Sequence, residues 1–137
     1  MNRRDLQALA NLRIYEAQAL YRARQYSGAY YLAGYAVECA LKACIARRVR
    51  RYDFPDKRIA FESHTHDLQK LATIAGIRTE LQTVAAEDPA LARNWTTTQS
   101  WSEESRYRVI PRMDCRTLLD AIMNEEHGVL PWIIQRW

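Results

Sequence analysis

The sequence predicts an all-α protein, an up-and-down bundle of five or six helices in a single domain. Apolar residues recur at the 3.6-residue period of amphipathic helices along most of the chain. The 137 residues include only four glycines and four prolines, which are the residues that most often break helices. No segment keeps the strict alternation of apolar and polar residues that a half-buried strand shows. The length also suits one hydrophobic core.

The first two predicted helices are the longest. The first covers about residues 4–24 and carries most of its leucines on one broad face. Ser27 is a candidate N-cap for the second helix, which extends to about residue 51. Between residues 29 and 46 the second helix is apolar almost all the way round, and Ala33 and Gly34 leave room for a close neighbour. It is therefore expected to be the central helix of the bundle.

Shorter helices are predicted after a loop over residues 52–65. A helix over residues 67–75 is expected to end at Gly76, because glycine adopts the left-handed conformation of a C′ residue without strain. A further helical stretch, in one piece or two, follows from about residue 79, and a break is expected near Ser100. A helix over about residues 112–126 and a short last helix from Pro131 complete the bundle.

The charge balance permits an anionic partner. Lys and Arg exceed Asp and Glu by four, and arginine supplies seventeen of the twenty cations. Guanidinium groups suit bidentate contacts to carboxylate or phosphate better than ammonium groups do. A solvated helical surface explains the same composition, so both interpretations stay open at this point.

The cysteines and the apolar segments bear on location. The three cysteines show no metal-ligand spacing, and Cys39 and Cys44 lie in the apolar run of the second helix, where free cysteine behaves as a small buried hydrophobe. Reduced cysteines, the lack of an apolar signal segment and the lack of a stretch of transmembrane length predict a cytoplasmic protein with no membrane contact. No Gly-rich phosphate loop, nucleophile elbow or recognised metal spacing occurs, so we expect no metal ion and no cofactor.

One face of the second helix is polar. Tyr31, Tyr35, Glu38 and Lys42 fall within about 60° of one another on a helical wheel. Glu38 precedes Lys42 by four residues, which is the favourable orientation for a helical ion pair. These four side chains are candidates for a polar, ligand-binding cleft.

Arg106 and Tyr107 are the candidates that would complete this cleft from a later part of the chain. Alternatively, Arg106 pairs with Glu38 inside the bundle and fixes the register of the helices, which is a structural role. The aromatic residues leave a similar choice. Eight tyrosines and four tryptophans can stack on nucleic-acid bases, or they can belong to the core and to a dimer interface.

Residues 30–43 read Tyr-Tyr-Leu-Ala-Gly-Tyr-Ala-Val-Glu-Cys-Ala-Leu-Lys-Ala and resemble the second-helix signature of HEPN domains, a family of prokaryotic nucleotide- and RNA-associated proteins. Three further features fit the family in the same order. They are the pattern Ala-x-x-Leu-Tyr over residues 17–21, the run His-Asp-Leu-Gln-Lys-Leu over residues 66–71, and Trp101 with Arg106-Tyr107. The resemblance covers most of the chain and implies a HEPN-like bundle that forms a homodimer with a cleft between protomers.

The resemblance also implies activities. Many HEPN proteins cut RNA without metal, through an arginine that is followed after four to six residues by a histidine. Histidine exchanges a proton with the ribose hydroxyl, while arginine stabilises the charged phosphorus transition state. Other members are toxins partnered with small nucleotidyltransferases, and some members have lost the active pair.

Arg58 and His64 are the one pair in this chain with the family's catalytic spacing. They lie in the predicted loop after the second helix, whereas the family places its pair at the start of a late helix. At that late position the chain has Arg106, with no histidine before His127. The structural alternative for His64 is a role, together with His66, at the start of the next helix.

Three functions stay open on these grounds. The leading hypothesis is a HEPN-like binding protein of a defence, toxin–antitoxin or RNA-related system, associated with RNA or a nucleotide and lacking the late catalytic pair. The second is a metal-independent endoribonuclease that uses Arg58 and His64. The third is a structural partner of a nucleotidyltransferase.

Overall fold

The all-α prediction is confirmed over the described part of the chain. The computed structural model describes residues 1–49 and 57–137, and within these ranges it contains eight α-helices, one 3₁₀ helix and no strand. The helices are α1 (Arg3–Arg22), α2 (Tyr26–Arg48), α3 (Lys57–Glu62), α4 (Leu68–Ile74), α5 (Arg78–Glu87), α6 (Pro89–Gln99), α7 (Arg112–Met123) and α8 (Val129–Ile134). The 3₁₀ helix (Glu103–Tyr107) lies between α6 and α7. None of these helices is long and apolar enough to cross a membrane.

The described helices outnumber the five or six that the sequence predicts. Part of the expected loop over residues 52–65 is helical, because Ile59 of α3 packs against the core. Arg58 and Glu62, one turn apart, add an exposed ion pair of 3.0 Å. The stretch after Gly76, for which the sequence allows one helix or two, forms two, α5 and α6. Residues 52–56 of the predicted loop and the predicted end of the second helix near residue 51 lie outside the described residues.

The helix α2 is central, as its apolar composition predicts. Thirteen of its residues are buried, and it packs against α1, α4, α7, α8 and the 3₁₀ helix. Gly34 lies against Trp101, where an added Cβ atom would overlap the indole ring. The glycine therefore lets the segment before the 3₁₀ helix approach α2 closely, next to the polar face of α2.

The turn between α1 and α2 closes through two backbone hydrogen bonds. The Gln25 N–H donates to the Leu20 carbonyl at 2.8 Å, and the Arg24 N–H donates to the Tyr21 carbonyl at 3.0 Å, which is the Schellman pattern. This pattern places Arg24 at a φ of 62°, in the left-handed region that favours glycine. Gly76 has the same role after α4, with a φ of 75°, and here the sequence prediction is confirmed.

Ser27 does not cap α2, and that prediction is wrong. The helix begins at Tyr26, with Gln25 in the N-cap position and no side-chain cap. The Ser27 hydroxyl oxygen instead accepts a hydrogen bond of 2.9 Å from the N–H of Ile110. This bond fixes the segment before α7 to the beginning of α2.

Candidate functional site

A cleft of about 670 Å³ opens between α1, α2 and α3, and we call it the α2 cleft. Its walls are mostly apolar, with Leu6 and Leu9 on α1 and Ile59 on α3. Its polar side chains come mainly from α2 and from the residues after α3. They are Tyr35, Glu38, Cys39, Lys42, Arg48, Ser63 and His64. A few convergent polar groups in a largely apolar concavity of this size are typical of small-molecule sites.

Glu38 is the buried acid of the α2 cleft. Only 1% of its surface is exposed, yet its carboxylate has two basic partners. Lys42 Nζ donates to Oε1 at 2.9 Å, which confirms the ion pair that the sequence predicts. His66 Nδ1 lies 3.0 Å from Oε1 and 3.1 Å from Oε2. A carboxylate is tolerated at this depth because hydrogen-bonding partners replace the lost water.

His66 is the site residue that the sequence reasoning missed. The capping role expected near it falls to its neighbours, because Asp67 accepts the Lys70 N–H at 3.0 Å and Thr65 Oγ1 accepts the Asp67 N–H at 3.1 Å. His66 is free to reach Glu38, 28 residues away in the sequence. The sequence does carry one indication of this contact, because a carboxylate in an apolar helix needs more than one hydrogen-bonding partner and a histidine precedes the next helix.

Two tyrosines of α2 form a stacked pair beside the cleft. The ring centroids of Tyr31 and Tyr35 lie 6.2 Å apart with an interplanar angle of 8°, and Tyr31 also stacks on Trp101 at 6.1 Å. The guanidinium carbon of Arg13 lies 6.0 Å from the centroid of the Tyr35 ring, within cation–π range. Both tyrosines are partly buried against the core.

Arg106 and Tyr107 extend this pair outward. The guanidinium carbon of Arg106 lies 4.9 Å from the Tyr107 ring centroid. Interaction with Tyr107 first, and with the Tyr31 hydroxyl second, raises the pKa of Arg106 above its ordinary value. Tyr107 is 78% exposed. We call Tyr35, Tyr31, Arg106 and Tyr107 the aromatic row.

The six predicted cleft residues thus fall into two groups. Glu38 and Lys42 lie in the α2 cleft, whereas Tyr31, Arg106 and Tyr107 belong to the aromatic row. Tyr35 belongs to both groups. The alternative ion pair between Glu38 and Arg106 is not formed, because the partners of Glu38 are Lys42 and His66 and the Arg106 side chain is exposed.

Arg58 and His64 are at the two ends of α3. Arg58 Nε pairs with Glu62 Oε1 at 3.0 Å, and 83% of the Arg58 side chain is exposed. His64 follows α3 and lines the α2 cleft, whereas Arg58 is not among the lining residues. The catalytic use of this pair stays a prediction.

The three cysteines are free and buried, as predicted for Cys39 and Cys44. Burial, and then the neighbouring carboxylate of Glu38, raise the pKa of the Cys39 thiol to about 11. Burial likewise raises the pKa of Cys44 and of Cys115 to about 11. These thiols are therefore uncharged at neutral pH, and Cys39 contributes a small apolar surface to the cleft rather than a thiolate nucleophile.

The site provides stacking surfaces, cations and one buried acid. Within residues 1–49 and 57–137, no three His, Cys, Asp or Glu side chains are grouped closely enough to hold a metal ion. Comparisons with protein-family models, with curated proteins and with solved structures found no match to this chain. Its function is therefore inferred from its own geometry and sequence.

Proposed function

We propose that this chain is a HEPN-like binding protein that takes single-stranded RNA or a nucleotide on the aromatic row and in the α2 cleft without cutting it. The observation that carries the proposal is the aromatic row, which runs from an exposed arginine–tyrosine pair to the polar groups of the cleft. Aromatic rings and arginine planes are the surfaces on which unpaired bases stack.

The charges around the row suit a phosphodiester chain. Arg13 lies over Tyr35, and its own ion pair with Glu16, at 2.7 Å, is about one-third exposed. Arg106 lies at the other end with an exposed side chain. Guanidinium groups at both ends of the row would contact phosphates, while Lys42 and His64 line the adjacent cleft.

Binding without cleavage is supported by the hydrogen bonds and ion pairs that the candidate catalytic groups already make. Both oxygens of Glu38 are engaged by His66, so this carboxylate is an unsuitable general base. Arg106 has no histidine near it in the sequence, and His127 is held by Asp88 at 2.8 Å. Arg58 is engaged by Glu62 on an exposed helix. These engagements leave no arginine–histidine pair in an evident catalytic arrangement among the described residues.

The proposal is tested by fluorescence anisotropy with a labelled single-stranded RNA of mixed sequence, in EDTA and at one salt concentration. Tyr31→Leu keeps apolar bulk but removes the aromatic face, and Arg106→Gln removes the charge. Each is expected to weaken binding about fivefold or more, since one base stacked on an aromatic ring contributes about 1–3 kcal/mol.

Tyr15→Leu is the matched control, because Tyr15 is 64% exposed and lies outside both the row and the cleft. Its affinity for the RNA should equal that of the unchanged protein. Unchanged binding by both Tyr31→Leu and Arg106→Gln, or an equal loss in Tyr15→Leu, would reject the proposal.

A second candidate function is metal-independent cleavage of RNA by Arg58 and His64. The position of His64 in the lining of the α2 cleft favours it. Histidine would exchange a proton with the ribose hydroxyl, and arginine would stabilise the phosphorus transition state. Incubation of the protein with mixed RNA in EDTA tests this function. Cleavage that is lost in both Arg58→Ala and His64→Ala would establish it, and RNA that stays intact would rule it out.

The partners implied by the resemblance are further proposals. A homodimer would have twice the chain mass of 16.0 kDa, and sedimentation equilibrium distinguishes it from a monomer. A structural partnership with a nucleotidyltransferase predicts that a gene for such an enzyme neighbours the gene for this chain. An unrelated gene neighbourhood would count against that partnership.

A further inference from the structure

A second cleft, of about 500 Å³, lies between the C-terminal part of α1 and α7. It shares no residue with the α2 cleft. Its lining is formed by Gln18, Tyr21, Arg22, Arg112, Arg116, Leu119, Asp120 and Met123. We call it the arginine groove, because three of these eight side chains are guanidinium groups.

The charges in the arginine groove are unbalanced. Its lining has three arginines and one aspartate, a formal charge of +2. Asp120 lies 3.7 Å from Arg116, and the two side chains are 74% and 60% exposed. Arg112 Nε donates to the Tyr21 hydroxyl at 3.5 Å. Across residues 1–49 and 57–137, neither Arg22 nor Arg112 has an acid within ion-pair distance.

The assembly of these cations is electrostatically unfavourable by itself. Arg112 and Arg116 are one turn apart on the same face of α7, a spacing at which like charges repel. Arg22 is brought to them by the packing of a different helix. An anion placed among the three would turn this repulsion into attraction.

The chemistry of the groove favours phosphate with an organic group attached. The guanidinium fork matches the oxygens of a phosphate bidentately. The lining of the groove also has an apolar part, formed by the partly buried Met123 and by the edge of Leu119, 7% of which is exposed. Free phosphate would leave that apolar surface uncovered, whereas an attached organic group would cover it.

We propose that the arginine groove binds the phosphate group of a small phosphomonoester, with the phosphate among Arg22, Arg112 and Arg116 and the organic part against Leu119 and Met123. The site is separate from the aromatic row and from the α2 cleft, so it does not depend on the RNA-binding function proposed above. The groove would recognise the phosphate end of the ligand by charge and the organic end by apolar contact.

The test is isothermal titration calorimetry of the full chain at constant ionic strength, with phenyl phosphate and with inorganic phosphate as the two probes. Phenyl phosphate should bind saturably at one site and more tightly than inorganic phosphate. Arg22→Gln and Arg112→Gln should each weaken binding about tenfold, because each removes charge-assisted hydrogen bonds.

Arg93→Gln is the matched control, since Arg93 is an exposed arginine of α6 outside both clefts. It removes the same charge and should leave the affinity unchanged. Tyr31→Leu should also leave phosphate binding unchanged, which separates this site from the aromatic row.

Equal affinity for the two probes would keep the phosphate site and assign it to free phosphate. Two results would overturn the proposal: no saturable binding of either probe up to about 10 mM, a concentration that would detect even a weak millimolar site, or an equal loss in Arg93→Gln and Arg112→Gln.

Discussion

At the scale of single residues, Glu38 determines the character of the α2 cleft. It is an acid in the middle of the central, largely apolar helix α2, and it is stabilised by one partner from its own helix and one from the segment before α4. Its two partners are more exposed to solvent than Glu38 is. The side chains of Lys42 and His66 are 24% and 46% exposed, whereas that of Glu38 is 2% exposed. Only the acid would be left without water if its partners were removed.

This asymmetry predicts which half of the pair is costlier to remove. Lys42→Met leaves a buried carboxylate with His66 alone and should lower the free energy of unfolding by about 2 kcal/mol, less than the loss of a fully buried pair because one partner stays. Glu38→Met leaves a lysine that can reach water and should cost less, about 1 kcal/mol or below. Urea unfolding of both variants measures the difference, and a larger loss in Glu38→Met would contradict this account of the cleft.

The contact between Glu38 and His66 also marks the limit of what the sequence predicts at this scale. The pairing with Lys42 follows from the four-residue spacing on one helix. The pairing with His66 joins α2 to the loop residue before the N-cap of α4, and the two meet only through tertiary packing, so no local period reveals it. Tyr31 and Tyr35 were predictable as one face of α2 for the same local reason, whereas the stacking of Tyr31 on Trp101 was not.

At the scale of helices, the two turn residues with left-handed backbone conformation have different causes, residue type in one case and tertiary packing in the other. Gly76 ends α4 at a position that its residue type predicts. Arg24 adopts the same conformation after α1 without being glycine, so the sequence gives no sign of it. The difference arises because α1 and α2 pack closely along their length, and that packing compensates for a strained backbone residue.

Arg24→Gly should therefore stabilise the protein. Removing the Cβ atom relieves the strain of the left-handed conformation, which costs an ordinary residue about 1–2 kcal/mol, and the greater freedom of glycine in the unfolded chain offsets part of the gain. We expect the free energy of unfolding to rise by about 0.5–1 kcal/mol in urea denaturation. Arg24→Ala, which keeps a Cβ atom, is the control and should gain nothing; an equal gain in that variant would show that loss of the charge, not backbone strain, is responsible.

The short helices show the second limit of local patterns. The sequence predicts a loop where α3 forms, because proline and charged residues obscure a six-residue helix. Ile59 packs that helix against the core, and the Arg58–Glu62 pair within the helix supports its helical conformation. Long helices such as α2 were predictable since their apolar pattern extends over many turns, while a single turn depends on its neighbours.

At the scale of the whole molecule, two contacts between an acidic and a basic side chain connect parts of the chain that are distant in sequence. His127 Nδ1 lies 2.8 Å from Asp88, the N-cap of α6, and links that helix to the turn before α8. Arg136 Nη2 donates to Glu80 at 2.7 Å and joins the last turn of the chain to α5. Both acids are partners of basic groups that lie more than 35 residues away, so they stabilise the arrangement of helices rather than single helices.

These links predict a loss of stability in acid. The hydrogen bond from His127, followed by the Leu91 N–H, holds the pKa of Asp88 below its ordinary value, and the hydrogen bond from Arg136 does the same for Glu80. A carboxyl group with a lowered pKa in the folded protein contributes its stabilisation above the pKa of the unfolded chain, about 4, and loses it as the pH falls through the folded pKa.

The melting temperature should therefore fall between about pH 5 and pH 2, and the fall should be smaller in Asp88→Asn and in Glu80→Gln. Glu87→Gln, at an exposed position between the two sites, is the control and should follow the unchanged protein; if all three variants keep the same pH dependence, then other carboxyl groups cause the acid sensitivity.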